Sequence, residues 1–317
     1  MKIFVAGAAG VLGRQLVPLL AEAGHEVVGT TTSTRKLEAL RALGAQPVVL
    51  DVLDAEAVGR AVSEAEPEVV VHEATALSGI GGSFRKFDET FAQTNRLRTE
   101  GTDNLLAAAL AVGARKLVAQ SYAGWTLARE GAAVKDEDAA LDPDPAGNAR
   151  ATIAAIRYLE DRVTAAQELD GIVLRYGGFY GPGTSFAADG ESVEAIRKRA
   201  FPIVGDGGGM ASFIHVEDAA RATLAAIERG RRGIYNIVDD DPAPVSAWLP
   251  YAADVVGAKP PRRVPFWLGK LFAGEMLATM MVAGRGASNA KAKRELDWQP
   301  LYPSWRDGFV NGLDRAA

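Results

Sequence analysis

The sequence predicts a doubly wound α/β fold, in which helices cover both faces of a parallel sheet. Three observations lead there. Short apolar runs alternate with longer segments of helical period from the first residue to about Tyr180. Runs such as Val69-Val70-Val71 are apolar at every position, as strands buried on both faces must be. A glycine-spaced turn joins the first strand to the first helix.

Taken in order, Lys2 to Ala6 reads as a strand and Leu12 to Ala23 as a helix, with Leu16, Leu19 and Leu20 on one face. Glu26 to Thr30 is the second strand, Thr34 to Leu43 a helix, and Pro47 to Leu50 the third strand. Ala55 to Ala65 is a helix and Glu68 to His72 the fourth strand. Phe91 to Val112 reads as one long helix, followed by a fifth strand at Lys116 to Gln120. Ala149 to Glu168 is a helix and Gly171 to Arg175 a sixth strand. Beyond Tyr180 the rhythm breaks into glycine-rich loops and scattered prolines, which predicts a smaller, mostly helical region over the carboxyl ends of the strands. The expected division is 1–176 with return segments at about 212–240, against 177–211 and 241–317 for substrate.

Composition narrows the function. A chain of 317 residues buries roughly three quarters of its unfolded surface, enough for one large or two joined domains. The absence of cysteine excludes disulfides and thiolate metal sites, and His25, His72 and His215 lie far apart, so no metal is expected. A net charge of −5, from 35 basic and 40 acidic side chains mixed along the chain, provides no footprint for nucleic acid or an anionic membrane. No apolar stretch is long enough to span a bilayer, and the N-terminus enters a strand at once; a cytoplasmic setting is expected.

The loop Gly7-Ala8-Ala9-Gly10-Val11-Leu12-Gly13 holds the strongest chemical signal. Gly7 permits the tight turn, Gly10 lets backbone approach a pyrophosphate, and Gly13 allows close helix–strand packing. The helix start behind them, at Val11 and Leu12, offers free N–H groups and a partial positive charge. The second strand ends without the acidic residue that would bind a ribose 2′-hydroxyl. Thr31, Arg35 and Lys36 stand there instead and suit a 2′-phosphate, so NADP is expected over NAD, although Arg35 and Lys36 also read as the solvated start of a helix. Asp51 and Val52, after the third strand, are candidates for the adenine.

The sequence resembles the extended short-chain dehydrogenase/reductase superfamily, the NAD(P)-dependent epimerase/dehydratase group. The likeness runs over essentially the whole chain. Its carriers are the glycine loop, Val71-His72-Glu73-Ala74, Gly101-Thr102-x-Asn104-Leu105-Leu106, Lys116 to Ser121, Leu174-Arg175-Tyr176 through Tyr180-Gly181-Pro182-Gly183, and Phe213-Ile214-His215-Val216-Glu217-Asp218. Ile234-Tyr235-Asn236-Ile237 and Ser288 to Trp298 complete it. The resemblance implies a Rossmann-type domain, a smaller C-terminal substrate region and a nicotinamide dinucleotide. It also implies Ala74 and Thr75 on the ribose side, Tyr176 beside the nicotinamide, and a possible homodimer through the helices at 91–112 and 149–168.

The family's proton-transfer apparatus is a Tyr-x-x-x-Lys pair, and this chain has none. Aligned on Glu160, the tyrosine slot falls on Thr152 and the lysine slot on Ile156. The Ser/Thr position falls on Ser121 or Tyr122, and Arg98 replaces an asparagine. Tyr122, with Ser121 and Arg98 assisting, is the expected replacement acid, or else packs as an aromatic wall beside Trp125. Met210-Ala211-Ser212 stands where nucleotide-sugar members carry a phosphate-binding arginine, which argues against that substrate. The expectation is an NADP(H)-preferring oxidoreductase for a small non-nucleotide carbonyl compound. The alternatives are a dinucleotide-binding sensor or scaffold without catalysis and, behind it, a nucleotide-sugar epimerase or dehydratase.

Overall fold

The computed structural model describes residues 1–77 and 84–314. Seven strands form one parallel sheet: β1 (Lys2–Ala6), β2 (Glu26–Thr31), β3 (Ala45–Val49), β4 (Val69–His72), β5 (Lys116–Tyr122), β6 (Asp170–Tyr176) and β7 (Gly233–Ile237). Their spatial order is β7-β6-β5-β4-β1-β2-β3. The helices that cover them are α1 (Val11–Glu22), α2 (Leu37–Ala42), α3 (Ala55–Ala65), α4 (Thr102–Ala111), α5 (Arg150–Ala165) and α6 (Val216–Arg229). The seventh strand, Gly233–Ile237, lies beyond the point where the apolar rhythm of the sequence breaks; it hydrogen-bonds along β6 from Ile172 to Tyr176.

Alternation along each strand divides the core into two layers. Ile3 and Val5 of β1, Val69 and Val71 of β4, and Ile172 and Leu174 of β6 pack with α1 and α6. Phe4, Val70, Leu117 and Val173 point the other way, into a cluster with residues of α3, α4 and α5. A third cluster joins Tyr180, Phe186, Phe213, Trp248, Trp305 and Phe309 in the C-terminal part of the chain.

The predicted long helix from Phe91 to Val112 is not continuous. Short helices at Phe87–Thr90 and Ala92–Arg96 lead into a π-helical turn at Leu97–Gly101, and α4 follows. The wider turn accompanies close packing at Gly101, where a Cβ would stand 3.2 Å from Val52 Cγ2. Periodicity alone could not show it, since the apolar spacing survives the bulge. The second helix also starts later than expected, after a 3₁₀ turn at Thr34–Lys36. No helix among the described residues is long and apolar enough to cross a membrane.

The sheet order reverses between β1 and β4, the place where open parallel sheets bind ligands at their carboxyl edge. Gly7 and Glu73 meet at this point: a Cβ on Gly7 would come within 2.6 Å of the Glu73 carbonyl oxygen.

Candidate active site

The glycine loop has the shape its spacing predicts. Gly7 has φ +87°, a left-handed conformation that glycine adopts without strain. A Cβ on Gly13 would lie 2.4 Å from the Ala8 carbonyl oxygen, so only glycine lets the first turn of α1 sit this closely against the loop before it. At the N-cap of α1, Gly10 provides no side-chain cap, and the first turn contains no acid. The amides of Val11 and Leu12 are therefore available to an anion.

The stretch after β3 is held in place as well. Val52 is buried, and its carbonyl accepts a hydrogen bond from Asn104 Nδ2 at 2.9 Å. Asp51 is exposed and accepts from Leu53 N at 3.0 Å. Thr31 is buried and accepts from Ser33 N at 3.2 Å, while Arg35 is exposed beside it. Ala74 is half-buried and Thr75 exposed just past the switch point.

Tyr176 does not open towards a nicotinamide, contrary to expectation. Its ring is 1% exposed, and its hydroxyl lies 3.1 Å from Glu73 Oε1 and 2.7 Å from Thr223 Oγ1. Tyr176 follows Leu174 in alternation and so faces the α1 and α6 layer. The hydroxyl donates to Glu73 when that carboxyl is ionised. Thr223 spends its own proton on the Ala219 carbonyl at 2.7 Å. All three contacts can be hydrogen bonds together only when Glu73 is protonated, because the phenol has a single hydrogen.

An acid closing the apolar run of β4 is the signal in the sequence for Glu73. Burial pushes its pKa up to about 8, against the lowering effect of the Tyr176 hydrogen bond, and its Oε2 has no partner. The folded state therefore holds a proton that the unfolded chain releases between about pH 4.5 and pH 8. Stability contributed by this group falls as pH rises through that window, by about 1.4 kcal/mol per pH unit. Glu73→Gln is expected to remove the slope and to be more stable than the parent at pH 8. Burial holds His72 down at about 4, which gives an opposite slope below its ordinary value. The comparison is therefore the difference between urea-unfolding curves of the two proteins from pH 5 to 8.5; parallel pH profiles would discard the neutral-acid assignment.

The two slots of the missing catalytic pair have been rebuilt. Thr152 donates from both N and Oγ1 to Asp88 Oδ1, at 2.8 and 2.7 Å, and accepts from Asn95 Nδ2 at 3.0 Å. Asp88 also takes the Ala151 N–H at 3.0 Å, so this carboxylate caps the start of α5. Ile156 is 1% exposed and packs with Leu127, Leu141 and Ile153. Neither slot retains a group able to exchange a proton with a substrate.

The three residues expected to compensate are placed differently from one another. Ser121 gives its hydroxyl to Glu160 Oε1 at 2.6 Å, and Glu160 is in turn gripped by Arg175 Nε and Nη2 at 2.8 and 2.6 Å. Ser121 is thus a member of a buried structural network rather than a free acid. Arg98, in the π-helical turn, reaches Asn95 Oδ1 at 3.3 Å; burial lowers its pKa to about 10, countered by the nearby Glu160 charge. Tyr122 alone lines a cavity, and its hydroxyl lies 3.7 Å from where a Cβ on Gly178 would stand. Burial raises that phenol to about 12, so it stays protonated.

The cavity beside Tyr122 has a volume of about 120 Å³. Its wall includes Trp125, Phe213, Trp248, Met280 and Met281, residues drawn from distant parts of the chain. Met210, Ala211 and Ser212, which stand in place of a phosphate-binding arginine, line it. The apolar C-terminal stretch divides accordingly. Met280 and Met281 reach the cavity, whereas Trp267 and Phe272 are exposed. Tyr158 and Arg162 both donate to Asp103 on the surface and take no part in the site.

A family model described as the NAD dependent epimerase/dehydratase family matches residues 3–238. The chain is 46% identical over 313 residues to a 3-diazoavenalumate denitrifying reductase of a Streptomyces species, covering 98% of this chain and 99% of that protein. It is 30% identical to a 2-alkyl-3-oxoalkanoate reductase of Stenotrophomonas maltophilia, with 81% and 76% covered. Among solved structures, a UDP-glucose 4-epimerase of Thermotoga maritima superimposes with a TM-score of 0.78 at 23% identity, over 99% of this chain and 97% of that one.

Proposed function

The chain belongs to the NAD dependent epimerase/dehydratase family, and from that premise we propose that it is an NADP(H)-preferring reductase that removes a diazo group from a small aromatic compound as N₂. The carrying observation is the loss of both proton-transfer slots, at Thr152 and Ile156. A carbonyl reductase must protonate an alkoxide; this reaction makes none. The likeness to a denitrifying reductase of a diazo compound supports the substrate class. When bound, the reduced nicotinamide supplies a hydride, with which the aryl carbon–nitrogen bond of a diazonium gives way to a carbon–hydrogen bond and N₂ leaves, with no proton drawn from the protein.

The chain's own residues then have to hold and exclude. Gly7, Gly10 and Gly13 bring the amides of Val11 and Leu12 to the pyrophosphate. Asp51 and Val52 take the adenine end, Ala74 and Thr75 the ribose side, and Thr31 with the exposed Arg35 the 2′-phosphate. Trp125, Trp248 and Phe213 surround the ring, and their faces favour a cationic group. The same wall keeps out water, which would otherwise attack a diazonium. Segments 177–211 and 241–317 carry most of this wall. We place the enzyme in the cytoplasm, as a homodimer pairing through the outer faces of α4 and α5.

A carbonyl substrate protonated by Tyr122 is the second reading, favoured by the placement of that hydroxyl against the cavity. One experiment separates the two. Purified protein is given NADPH and a panel of aryl diazonium salts, and N₂ release is followed with cofactor oxidation. Turnover is expected with NADPH above NADH, and Arg35→Gln is expected to narrow that preference. Tyr122→Phe should stay within about threefold of the parent, because no general acid is involved. Turnover of ketones but not diazonium salts, with Tyr122→Phe losing about 10²–10⁴-fold, would establish the second reading instead. Cofactor binding with neither activity would leave a sensor.

A further inference from the structure

We infer that the helix Phe266–Ala273 docks on an anionic lipid surface, lying among the headgroups without crossing the bilayer. One side of this helix is fixed by Gly269, where a Cβ would lie 2.6 Å from Val204 Cγ1, so it is pressed against the strand Ile203–Val204. The side away from that contact meets solvent. Trp267 and Phe272 are 66% and 69% exposed, and Phe266 and Leu271 are exposed with them. Trp267 and Leu271 are four residues apart and share a face. The next helix, Glu275–Ala283, is similarly apolar in sequence, yet it buries Met276, Ala278 and Met281. One of these neighbouring helices finds its partner within the chain and the other does not. An exposed apolar patch of this kind marks an interaction surface.

The charge around the patch selects its occupant. The chain as a whole carries −5, but residues 259–272 contain Lys259, Arg262, Arg263 and Lys270 and no acid. All four cations are exposed. Lys270 pairs with Glu275 at 2.7 Å, whereas no ion pair engages Lys259, Arg262 or Arg263 among the described residues. Arg263 donates to the Asp206 carbonyl at 3.3 Å rather than to its carboxylate. Arg199 adds a further cation, since its Nε donates to the Pro260 carbonyl at 3.0 Å.

Aromatic and leucine side chains beside unpaired cations are the pattern of a helix that lies in a lipid interface. Its rings enter the acyl boundary while its cations stay among anionic headgroups. Rings projecting from a helix suit a fluid layer, which closes around any shape; a folded protein partner would need matching pockets. The docked helix is followed directly in the chain by the one whose Met280 and Met281 line the Tyr122 cavity.

The test sediments the full chain with sucrose-loaded vesicles of phosphatidylcholine alone or mixed equally with phosphatidylglycerol. Binding to the mixed vesicles is expected to exceed binding to the neutral ones about 10-fold or more, because each cation near an anionic surface contributes about fivefold. High salt should shrink that difference. Arg262→Gln/Arg263→Gln should close most of the gap, and Trp267→Ser/Phe272→Ser should weaken binding to the mixed vesicles about 10-fold or more. Trp267 is the one exposed tryptophan among the described residues, so its emission should shift to the blue on mixed vesicles. No sedimentation with either vesicle, equal binding to the two, or binding unaffected by Trp267→Ser/Phe272→Ser would overturn the assignment. A smaller assembly in that variant, with vesicle binding unchanged, would give the patch to a second copy of the chain instead.

Discussion

Replacing Arg175 with leucine is expected to lower the unfolding free energy by about 3–5 kcal/mol, the usual consequence of stranding one half of a buried ion pair. Arg175 and Glu160 are 3% and 4% exposed, and their paired contact is 2.6 Å. Removing the guanidinium leaves a carboxylate in the sheet–helix interface with the Ser121 hydroxyl as its one remaining side-chain hydrogen bond among the described residues and the Arg98 charge nearby. The double variant Arg175→Leu/Glu160→Leu should regain much of the loss, since apolar replacement of a whole buried pair is often near neutral. Urea unfolding of the single and double variants decides the matter. A single-variant loss below about 1 kcal/mol would mean that the pair is far better hydrated than its burial indicates.

Gly13→Val is expected to cost about 100-fold or more in NADPH affinity, about 2.7 kcal/mol, because it moves the phosphate-binding amides themselves. The added Cβ would lie 2.4 Å from Ala8 O and 2.6 Å from Ala8 C, backbone atoms that cannot rotate aside. The first turn of α1 must move away from the loop before it, which shifts the amides proposed to hold the pyrophosphate. Gly59 is the control: it lies in α3 with nothing within 4 Å of its Cβ position. Gly59→Ala should keep cofactor affinity and gain about 0.5–1 kcal/mol of stability from helix propensity. Fluorescence titration with NADPH reads both, and unchanged affinity in Gly13→Val would remove the glycine loop from the binding argument.

How much of this was legible beforehand differs by residue. Gly7 and Gly13 were readable because a turn between strand and helix imposes its conformation locally. Tyr176 was not: the motif located it at the carboxyl edge, but alternation along β6 turns its ring into the α1 and α6 layer, where Glu73 and Thr223 take the hydroxyl. Ser121 and Tyr122 are adjacent, and the sequence offers Tyr122 as the acid with Ser121 assisting. Opposite faces of β5 separate them, one towards Glu160 and the other towards the cavity.

The sequence by itself determined a parallel sheet wound in both directions, a glycine loop at its first turn, and the absence of a tyrosine–lysine pair. Those properties live in strand period, glycine placement and residue identity, all of which are local. Only the tertiary structure decided what fills the vacant slots and which side chains share a cavity. Thr152 meets Asn95 across 57 residues and Asp88 across 64, and Met280 closes a cavity wall begun at Tyr122. Such contacts depend on how side chains from separate layers interlock, and no one-dimensional pattern records that.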